Sequence, residues 1–344
     1  MDVLVNSTAL ESKQCLFLTY YMAKPVTLSY VVTVVTCILT GILSVSGVLA
    51  NSLVCAAIVK NRSLRVHSNI LLQALSLNDL MIGLVTEPLY IIRRSLETSE
   101  VYLCWLTLAY RTTWNISIGM SFILITLVSC ERFLALFFPF RYNQHVTVRK
   151  LVCSAALCAG TWMLLPISRF AGLDTRSFYY ISSALIVSVI AIIVVSQVKI
   201  FKLARHHHVQ ISLTSVSSAG SELRNKKRTG RLGYSSREAK IARNTAFIVG
   251  SVLLCYLPLV GSTMAMILID GEYVFYYNVF PWTDLLVFTN SLLSPLIYCW
   301  RNRELRATMY SMLRCRKAQN HDFDALSGRE LSVQYAATSI KETS

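Results

Sequence analysis

Seven stretches of apolar residues, each long enough to cross a bilayer, constrain this chain more than any other feature. A helix needs about 20 mainly apolar residues to cross the hydrocarbon core, where no water can satisfy free backbone amides. With 54% hydrophobic and only 15% charged residues, the 344-residue chain has the composition of a multi-pass membrane protein. The sequence therefore predicts an all-α membrane protein, a seven-transmembrane helix bundle. We place the spans at residues 29–59, 67–92, 103–136, 150–168, 177–204, 240–269 and 275–300.

The net charge of +15 is distributed unevenly and indicates the orientation of the chain. Basic residues favour the cytoplasmic side of membrane spans. Placing the N-terminus outside and the C-terminus inside puts most Lys and Arg residues in the cytoplasm, including Lys60, Arg62, Arg65, Arg301, Arg303 and Arg306. Because the charge flanks membrane spans, nucleic-acid binding is excluded as its explanation. We expect a multi-pass protein of the plasma membrane, in contact with the lipid bilayer.

The segments outside the spans differ in composition. Residues 1–28 form the predicted extracellular N-terminus, and residues 29–300 hold the bundle. Within it, residues 205–237 are polar and rich in Ser and basic residues, which predicts a flexible third cytoplasmic loop. Residues 301–315 predict a short interfacial helix, and the polar residues 316–344 predict a disordered cytoplasmic tail.

The predicted interfacial helix is amphipathic. Leu305, Met309, Met312 and Leu313 recur at helical spacing and form one apolar face, typical of a helix on the inner leaflet. Cys315 at its end is a candidate for palmitoylation, with an unmodified thiol as the alternative.

Two features are expected on the extracellular side. Asn6-Ser7-Thr8 is a glycosylation sequon that this orientation leaves accessible, so we expect a glycan at Asn6. Of the ten cysteines, only Cys15 and Cys104 lie outside or near that face. The sequence therefore allows one disulfide between them but does not establish it.

The third span ends in Glu131-Arg132-Phe133. An arginine at a bilayer boundary must be paired, solvated or able to reach the interface. Glu238 opens the sixth span and would lie at the same depth. The sequence thus predicts an Arg132–Glu238 contact that holds the cytoplasmic face closed.

Prolines predict hinges in two spans. Pro258, which follows Cys255 and Tyr256, removes a backbone donor and kinks the sixth span. The cytoplasmic end of that span lies about 30 Å away, so a small change at the kink displaces it far. Pro295 predicts a second kink near the inner end of the seventh span, with Tyr298 facing the same crevice.

Asp79 lies near the middle of the second span, where a carboxylate must face the bundle interior and find donors or a cation. Ser121, Asn290 and Ser291 supply oxygens at a similar depth. Sodium suits such an all-oxygen pocket. The alternative is an Asp79 that is protonated, or satisfied by hydrogen bonds and water alone.

Charged residues also occur in the outer half of the spans. We expect Glu87, Arg111 and Asp284 to converge there, since intramembrane charges mark a site by default. An Arg111–Glu87 or Arg111–Asp284 pair that ties helices together is the other interpretation, and it is compatible with ligand contact. The predicted lining is completed by Trp114, Asn115 and Phe288.

As a set, these residues resemble the rhodopsin-like (class A) G-protein-coupled receptors over all seven spans and the following helix. The resemblance implies that Arg132 contacts a G-protein α-subunit, that Glu238 is its lock partner, and that Asp79 belongs to a sodium pocket. It implies no catalytic residues. The matching residues are Gly47, Asn51, Asp79, Glu131, Arg132, Phe133, Trp162, Cys255, Pro258, Pro295 and Tyr298.

The departures from the family pattern are informative. The second extracellular loop, residues 170–176, has no cysteine, so the family's usual bridge to the third span cannot form. The fifth span has no proline, and Gln197 stands where a tyrosine is usual. Tyr256 replaces the usual tryptophan. The short loop and the missing proline are similar to the melanocortin receptors and their lipid- and adenosine-binding relatives.

The resemblance also narrows the ligand. Amine receptors carry an aspartate where this chain has Trp114, and a retinal site needs a lysine that the seventh span lacks. A peptide or an anionic or lipid-like small molecule is left. We expect a receptor that activates heterotrimeric G proteins by outward movement of the sixth helix, with arrestin and receptor kinases as further partners. The alternatives are a seven-helix transporter or channel, and a ligand-scavenging receptor that does not signal.

Overall fold

The computed structural model describes residues 11–16, 18–22, 27–64, 67–138, 142, 144, 146–216, 247, 249–269 and 275–313. A short antiparallel hairpin, β1 (Glu11–Cys15) and β2 (Leu18–Met22), precedes the helices. The helices that follow are α1 (Thr27–Lys60), α2 (His67–Met81, a π-helical turn Ile82–Thr86, and Glu87–Thr98), α3 (Cys104–Phe137), α4 (Val148–Phe170), α5 (Thr175–Val216), α6 (Val249–Ile269), α7 (Phe280–Arg301, entered through a π-helical turn Phe275–Val279) and α8 (Arg303–Leu313).

The helices form the seven-helix bundle that the sequence predicts. In the described part of the chain, α1 to α6 are long and apolar enough to cross a membrane. Helix α7 packs along α1, and α3 packs against α2, α4 and α5. The buried core runs through the middle of the bundle and contains Ile118, Phe122, Tyr256 and Phe288. We call the end that carries the hairpin the outer end, and the opposite end the inner end.

Two helices extend further than the sequence analysis predicts. Helix α2 continues to Thr98, past the predicted end at residue 92, and α5 continues to Val216, into the segment predicted as a flexible loop. The physical reason is the same for both. An apolar window marks the part of a helix that lies in hydrocarbon, whereas the helix itself continues wherever its backbone hydrogen bonds can form.

A glycine allows α1 and α2 to approach closely. Gly83 lies in the π-helical turn of α2, and its carbonyl accepts a 2.7 Å hydrogen bond from the Ser44 hydroxyl of α1. A Cβ at Gly83 would lie 2.7 Å from the Val48 Cγ2. A π-helical turn inserts one extra residue into a helix, so it changes the direction of every side chain beyond it.

A second glycine sets the crossing of α3 and α4. The Trp162 indole of α4 lies flat across Gly119 of α3 and donates a 3.0 Å hydrogen bond to the Asn115 carbonyl. A Cβ at Gly119 would lie 1.7 Å from the indole nitrogen, which no small adjustment relieves.

Helix α8 begins where the sequence analysis places an interfacial helix. The Asn302 side chain caps it by accepting hydrogen bonds from the backbone N–H groups of Glu304 and Leu305, at 3.1 and 3.2 Å. Leu305 is buried, and Met309 packs against the core of the bundle. The apolar face of α8 therefore covers the inner end of α1 and α7.

We predict that Gly119→Ala lowers the free energy of unfolding by about 1–3 kcal/mol, because the added methyl group forces Trp162 out of its packing. The measurement is thermal unfolding of the purified protein in detergent. Gly160→Ala is the matched control, since a Cβ at Gly160 in α4 meets nothing within 4 Å. Gly160→Ala is expected to be neutral or stabilising by up to about 1 kcal/mol. Equal stability of the two variants would contradict this packing.

Candidate functional site

A cavity of about 130 Å³ opens between α2, α3, α4, α5, α6 and α7. Its outer part is lined by Arg93, Arg94 and Arg111, and its deep part by Phe122 and Tyr256. The cavity thus changes along its length from charged to aromatic.

The structure brings four of the six predicted lining residues to this cavity: Arg111, Trp114, Asn115 and Asp284. Phe288 is buried beneath it, with its ring edge-on to Trp114 at a centroid distance of 5.2 Å. The prediction that Glu87 converges with the other charges is wrong. The π-helical turn directly before Glu87 rotates it by about 100° from the direction that α-helical spacing gives.

Glu87 instead lies in the helix packing. Its side chain is 0% exposed, and neither carboxylate oxygen has a hydrogen-bond partner in the described part of the chain. A buried carboxylate of this kind is stable only if it is protonated or compensated by a cation.

The expected ion pairs of Arg111 are also absent among the described residues. Arg111 forms no salt bridge with Glu87 or Asp284. Its guanidinium lies over the Tyr276 ring, 5.6 Å from the ring centroid. Asp284 accepts a 3.2 Å hydrogen bond from the Tyr110 hydroxyl. Aromatic residues therefore occupy the positions through which the two charges would approach each other.

Sequence reasoning missed a charged cluster at the outer end of α2. Glu97 pairs with Arg93 and with Arg94, each at 3.0 Å, and all three side chains are buried. The Tyr276 hydroxyl accepts a hydrogen bond from Arg93 and donates one to Glu97 at 3.2 Å. Arg94 also donates to the Thr33 hydroxyl of α1 at 2.9 Å. The i,i+3 and i,i+4 spacing of these charges was the signal that would have found the cluster.

Deeper in the bundle, Asp79 has an incomplete set of partners. It is 1% exposed, and both carboxylate oxygens lack a hydrogen-bond partner among the described residues, as does the side-chain oxygen of Asn290. The Ser121 hydroxyl accepts a 2.9 Å hydrogen bond from Asn78, and the Ser291 hydroxyl donates one to the Phe288 carbonyl at 2.8 Å. Each of these groups keeps a lone pair for a small cation, so the residues fit sodium chemically.

At the inner end of α3, Glu131 holds two neighbours. Its carboxylate lies 3.4 Å from the Arg132 Nε and accepts a hydrogen bond from the Tyr142 hydroxyl. Phe133 points elsewhere and stacks on Phe137 at 4.4 Å. Glu238 lies outside the described residues, so the Arg132–Glu238 contact stays a prediction. Tyr142 was missed, because a loop tyrosine carries no periodic signal.

Of the predicted hinge residues, Cys255, Tyr256 and Pro295 are buried, whereas Pro258 is exposed. Cys255 and Tyr256 are each 1% exposed, and the Tyr256 ring lies 4.6 Å from the Phe122 ring of α3. Pro258 follows within the α6 helix. Pro295 lies inside α7, and the Tyr298 hydroxyl is buried without a partner in the described structure.

A disulfide between Cys15 and Cys104 connects the N-terminal hairpin to the first residue of α3. Their Cα atoms are 5.4 Å apart. The candidate glycosylation site Asn6 and the candidate palmitoylation site Cys315 lie outside the described residues.

Comparison with known proteins agrees with this arrangement. Residues 50–171 match the family described as 7 transmembrane receptor (rhodopsin family). This match and the relatives that follow support a rhodopsin-like (class A) G-protein-coupled receptor.

Three of its relatives illustrate the likeness. A D(5)-like dopamine receptor of Takifugu rubripes is 26% identical over 82% of this chain and 67% of its own length. Melanocortin receptor 5 of Homo sapiens is 24% identical, over 80% of this chain and 82% of its own. Trace amine-associated receptor 13c of Danio rerio is 24% identical, over 77% and 81%.

We predict that Glu97→Gln destabilises this receptor by about 3–5 kcal/mol, since it leaves two buried guanidiniums without their shared carboxylate. Glu100→Gln is the matched control, because Glu100 is exposed three residues further on. The measurement is the thermal midpoint of both variants in the same detergent. A Glu97→Gln receptor as stable as the Glu100→Gln receptor would show that the cluster does not stabilise the outer end.

Proposed function

We propose that this receptor binds an extracellular ligand in the outer cavity and activates heterotrimeric G proteins through outward movement of α6. The observation that carries the proposal is the position of Tyr256. This residue lines the deep end of the cavity and precedes Pro258 of α6 by two residues. A ligand that contacts Tyr256 therefore acts directly on the helix that has to move.

The contact between Tyr256 and Phe122 links α6 to α3 at the floor of the cavity. A ligand shifts a conformational equilibrium only by its difference in affinity for the two states. A ligand that binds better when Tyr256 leaves Phe122 favours the state in which α6 is displaced. Since α6 pivots near Pro258, this small change becomes large at the inner end.

The inner end offers a group for the G protein. Arg132 is 20% exposed, and the acid that it contacts is Glu131 of its own turn. In the closed state Glu238 is proposed to hold Arg132 from the side of α6. Opening breaks that contact and frees the guanidinium for the α-subunit, and the same open crevice is proposed to bind receptor kinases and arrestin.

The receptor is proposed to lie in the plasma membrane with its N-terminus outside, because its basic residues then concentrate in the cytoplasm. Its ligand is proposed to be a peptide or an anionic or lipid-like small molecule. The dopamine and trace-amine receptors among its relatives suggest an amine. Against this, Trp114 stands where amine receptors carry an aspartate, and its ring packs between Tyr110 and Phe288.

The Asp79 pocket is proposed to bind sodium as an allosteric ion. Asp79 would supply the charge, and Ser121, Asn290 and Ser291 the neutral oxygens. The support is that the carboxylate and the Asn290 oxygen are buried without hydrogen-bond partners among the described residues.

For G-protein coupling, we predict that Arg132→Ala abolishes nucleotide exchange and that Glu238→Ala raises basal exchange several-fold. The first removes the contact for the α-subunit, and the second releases the closed state. The measurement is nucleotide exchange by a panel of heterotrimers with receptors at matched surface expression. Arg149→Ala is the control, because Arg149 is an exposed arginine at the inner end of α4. If both variants behave like Arg149→Ala while solute flux through the protein is measurable, the protein does not activate G proteins and the transporter alternative is supported.

For the ion, we predict that the protein has a higher thermal midpoint in sodium chloride than in choline chloride at the same concentration. Asp79→Asn is expected to abolish this difference. An ion at about 100 times its dissociation constant stabilises the state that binds it by about 2.7 kcal/mol. Asp174→Asn is the control, since Asp174 is exposed before α5. A sodium effect that persists in Asp79→Asn would show that sodium does not act at Asp79.

A further inference from the structure

The charges that line the outer cavity are compensated unequally. Arg93 and Arg94 both form salt bridges with Glu97. Asp284 accepts a hydrogen bond from the Tyr110 hydroxyl. Arg169 donates to the Leu173 carbonyl at 2.6 Å and to the Thr175 hydroxyl at 2.9 Å. Each of these charged groups is therefore engaged within the receptor.

Arg111 differs from them. Among the described residues its guanidinium donates no hydrogen bond and forms no ion pair, and it lies over the Tyr276 ring at 5.6 Å. It is half-buried and lines the cavity from α3. A guanidinium removed from water without an anion is destabilised, so a ligand that brings an anionic group gains most at this position.

The geometry of the Arg111 guanidinium indicates which type of anion fits it best. The guanidinium is a planar fork of N–H donors that matches a carboxylate with two parallel hydrogen bonds. An ammonium ligand would instead be repelled by the guanidinium of Arg111.

The remainder of the cavity sets the body of the ligand. Inward of Arg111 the lining is aromatic, with Trp114, Phe122 and Tyr256. The volume of about 130 Å³ is close to that of an apolar cavity of about 150 Å³ that holds one benzene ring. This space suits a single ring or a short aliphatic chain.

We propose that the ligand is a small monocarboxylic acid whose carboxylate pairs with Arg111 and whose ring or short chain lies against Trp114, Phe122 and Tyr256. This inference rests on the proposed function, because it assigns the ligand class of the same cavity. Binding along this axis places the charged end near the opening and the apolar end on α6.

The test is thermal stabilisation of the purified receptor in nanodiscs by three acids, each with its amide and its amine. The probes are phenylacetate, 3-phenylpropanoate and hexanoate, with the amide and the amine of the same carbon skeleton. At least one acid is expected to raise the thermal midpoint in a saturable manner, at concentrations at least tenfold lower than its amide, and the amines are expected to have no effect.

Arg111→Gln is expected to weaken the response to the acid at least tenfold and to leave any response to the amide unchanged. Arg111→Lys keeps the charge without the fork and should give an intermediate response. Arg149→Gln is the control and should respond as the wild type does. Because Arg111 forms no ion pair among the described residues, its replacement breaks no salt bridge there, and folding is checked by the thermal midpoint without ligand.

The proposal is overturned if no acid stabilises the wild type, if amides or amines match the acids, or if Arg111→Gln keeps the full response. Nucleotide exchange in the same preparation separates the two claims. Stabilisation by an acid without exchange would contradict the proposed function and leave the ligand class standing. Exchange driven by amines alone would contradict the ligand class and leave the proposed function standing.

Discussion

A bilayer offers no water to a charge, so every charge within the bundle must be compensated there, and this constraint organises the whole receptor. At the outer end, Glu97 satisfies Arg93 and Arg94 together and so joins α2 to its surroundings. At the inner end, Glu131 keeps Arg132 close to its own helix. Between them, Asp79 and Glu87 have no hydrogen-bond partner among the described residues, so each must be protonated or compensated by a cation. The compensated charges stabilise the fold, and two of the uncompensated ones, Asp79 and Arg111, are where ligands are proposed to bind.

Aromatic side chains connect these polar layers. Trp114 lines the outer cavity and packs on Phe288, and the Phe122–Tyr256 contact forms the floor of the cavity between α3 and α6. Rings packed edge-to-face or tilted have few alternative arrangements, because protein interiors are close-packed. A change at Tyr256 is therefore more readily taken up by displacement of α6 than by local repacking. In the proposed mechanism, α6 is the element that connects the cavity with Arg132.

Much of this architecture could be predicted from the sequence, because apolar length marks membrane helices directly. The bundle and the short connection between α4 and α5 follow from it, and the amphipathic spacing after the seventh span predicts the short helix α8. The outer site was harder to predict. Arg93 and Glu97 lie beyond the predicted end of the second span, and each compensates the charge of the other there. Glu87 was assigned to the cavity because α-helical spacing was assumed. No residue pattern predicts the π-helical turn Ile82–Thr86, which directs the Glu87 side chain away from the cavity. Pairings across helices depend on the packing, which the sequence does not encode locally.

The most direct test of the central claim is to measure the distance between α3 and α6 at the inner end, by double electron–electron resonance between two spin labels. Labels at Leu134 of α3 and at Phe247, two residues before α6, report it, since both side chains are exposed, at 44% and 43%. A second pair, Leu134 with the exposed Val152 of α4, is the reference. When a nucleotide-free heterotrimeric G protein binds, the first distance is predicted to lengthen and the second to stay the same. An unchanged Leu134–Phe247 distance in the bound complex would contradict a receptor that signals by moving α6.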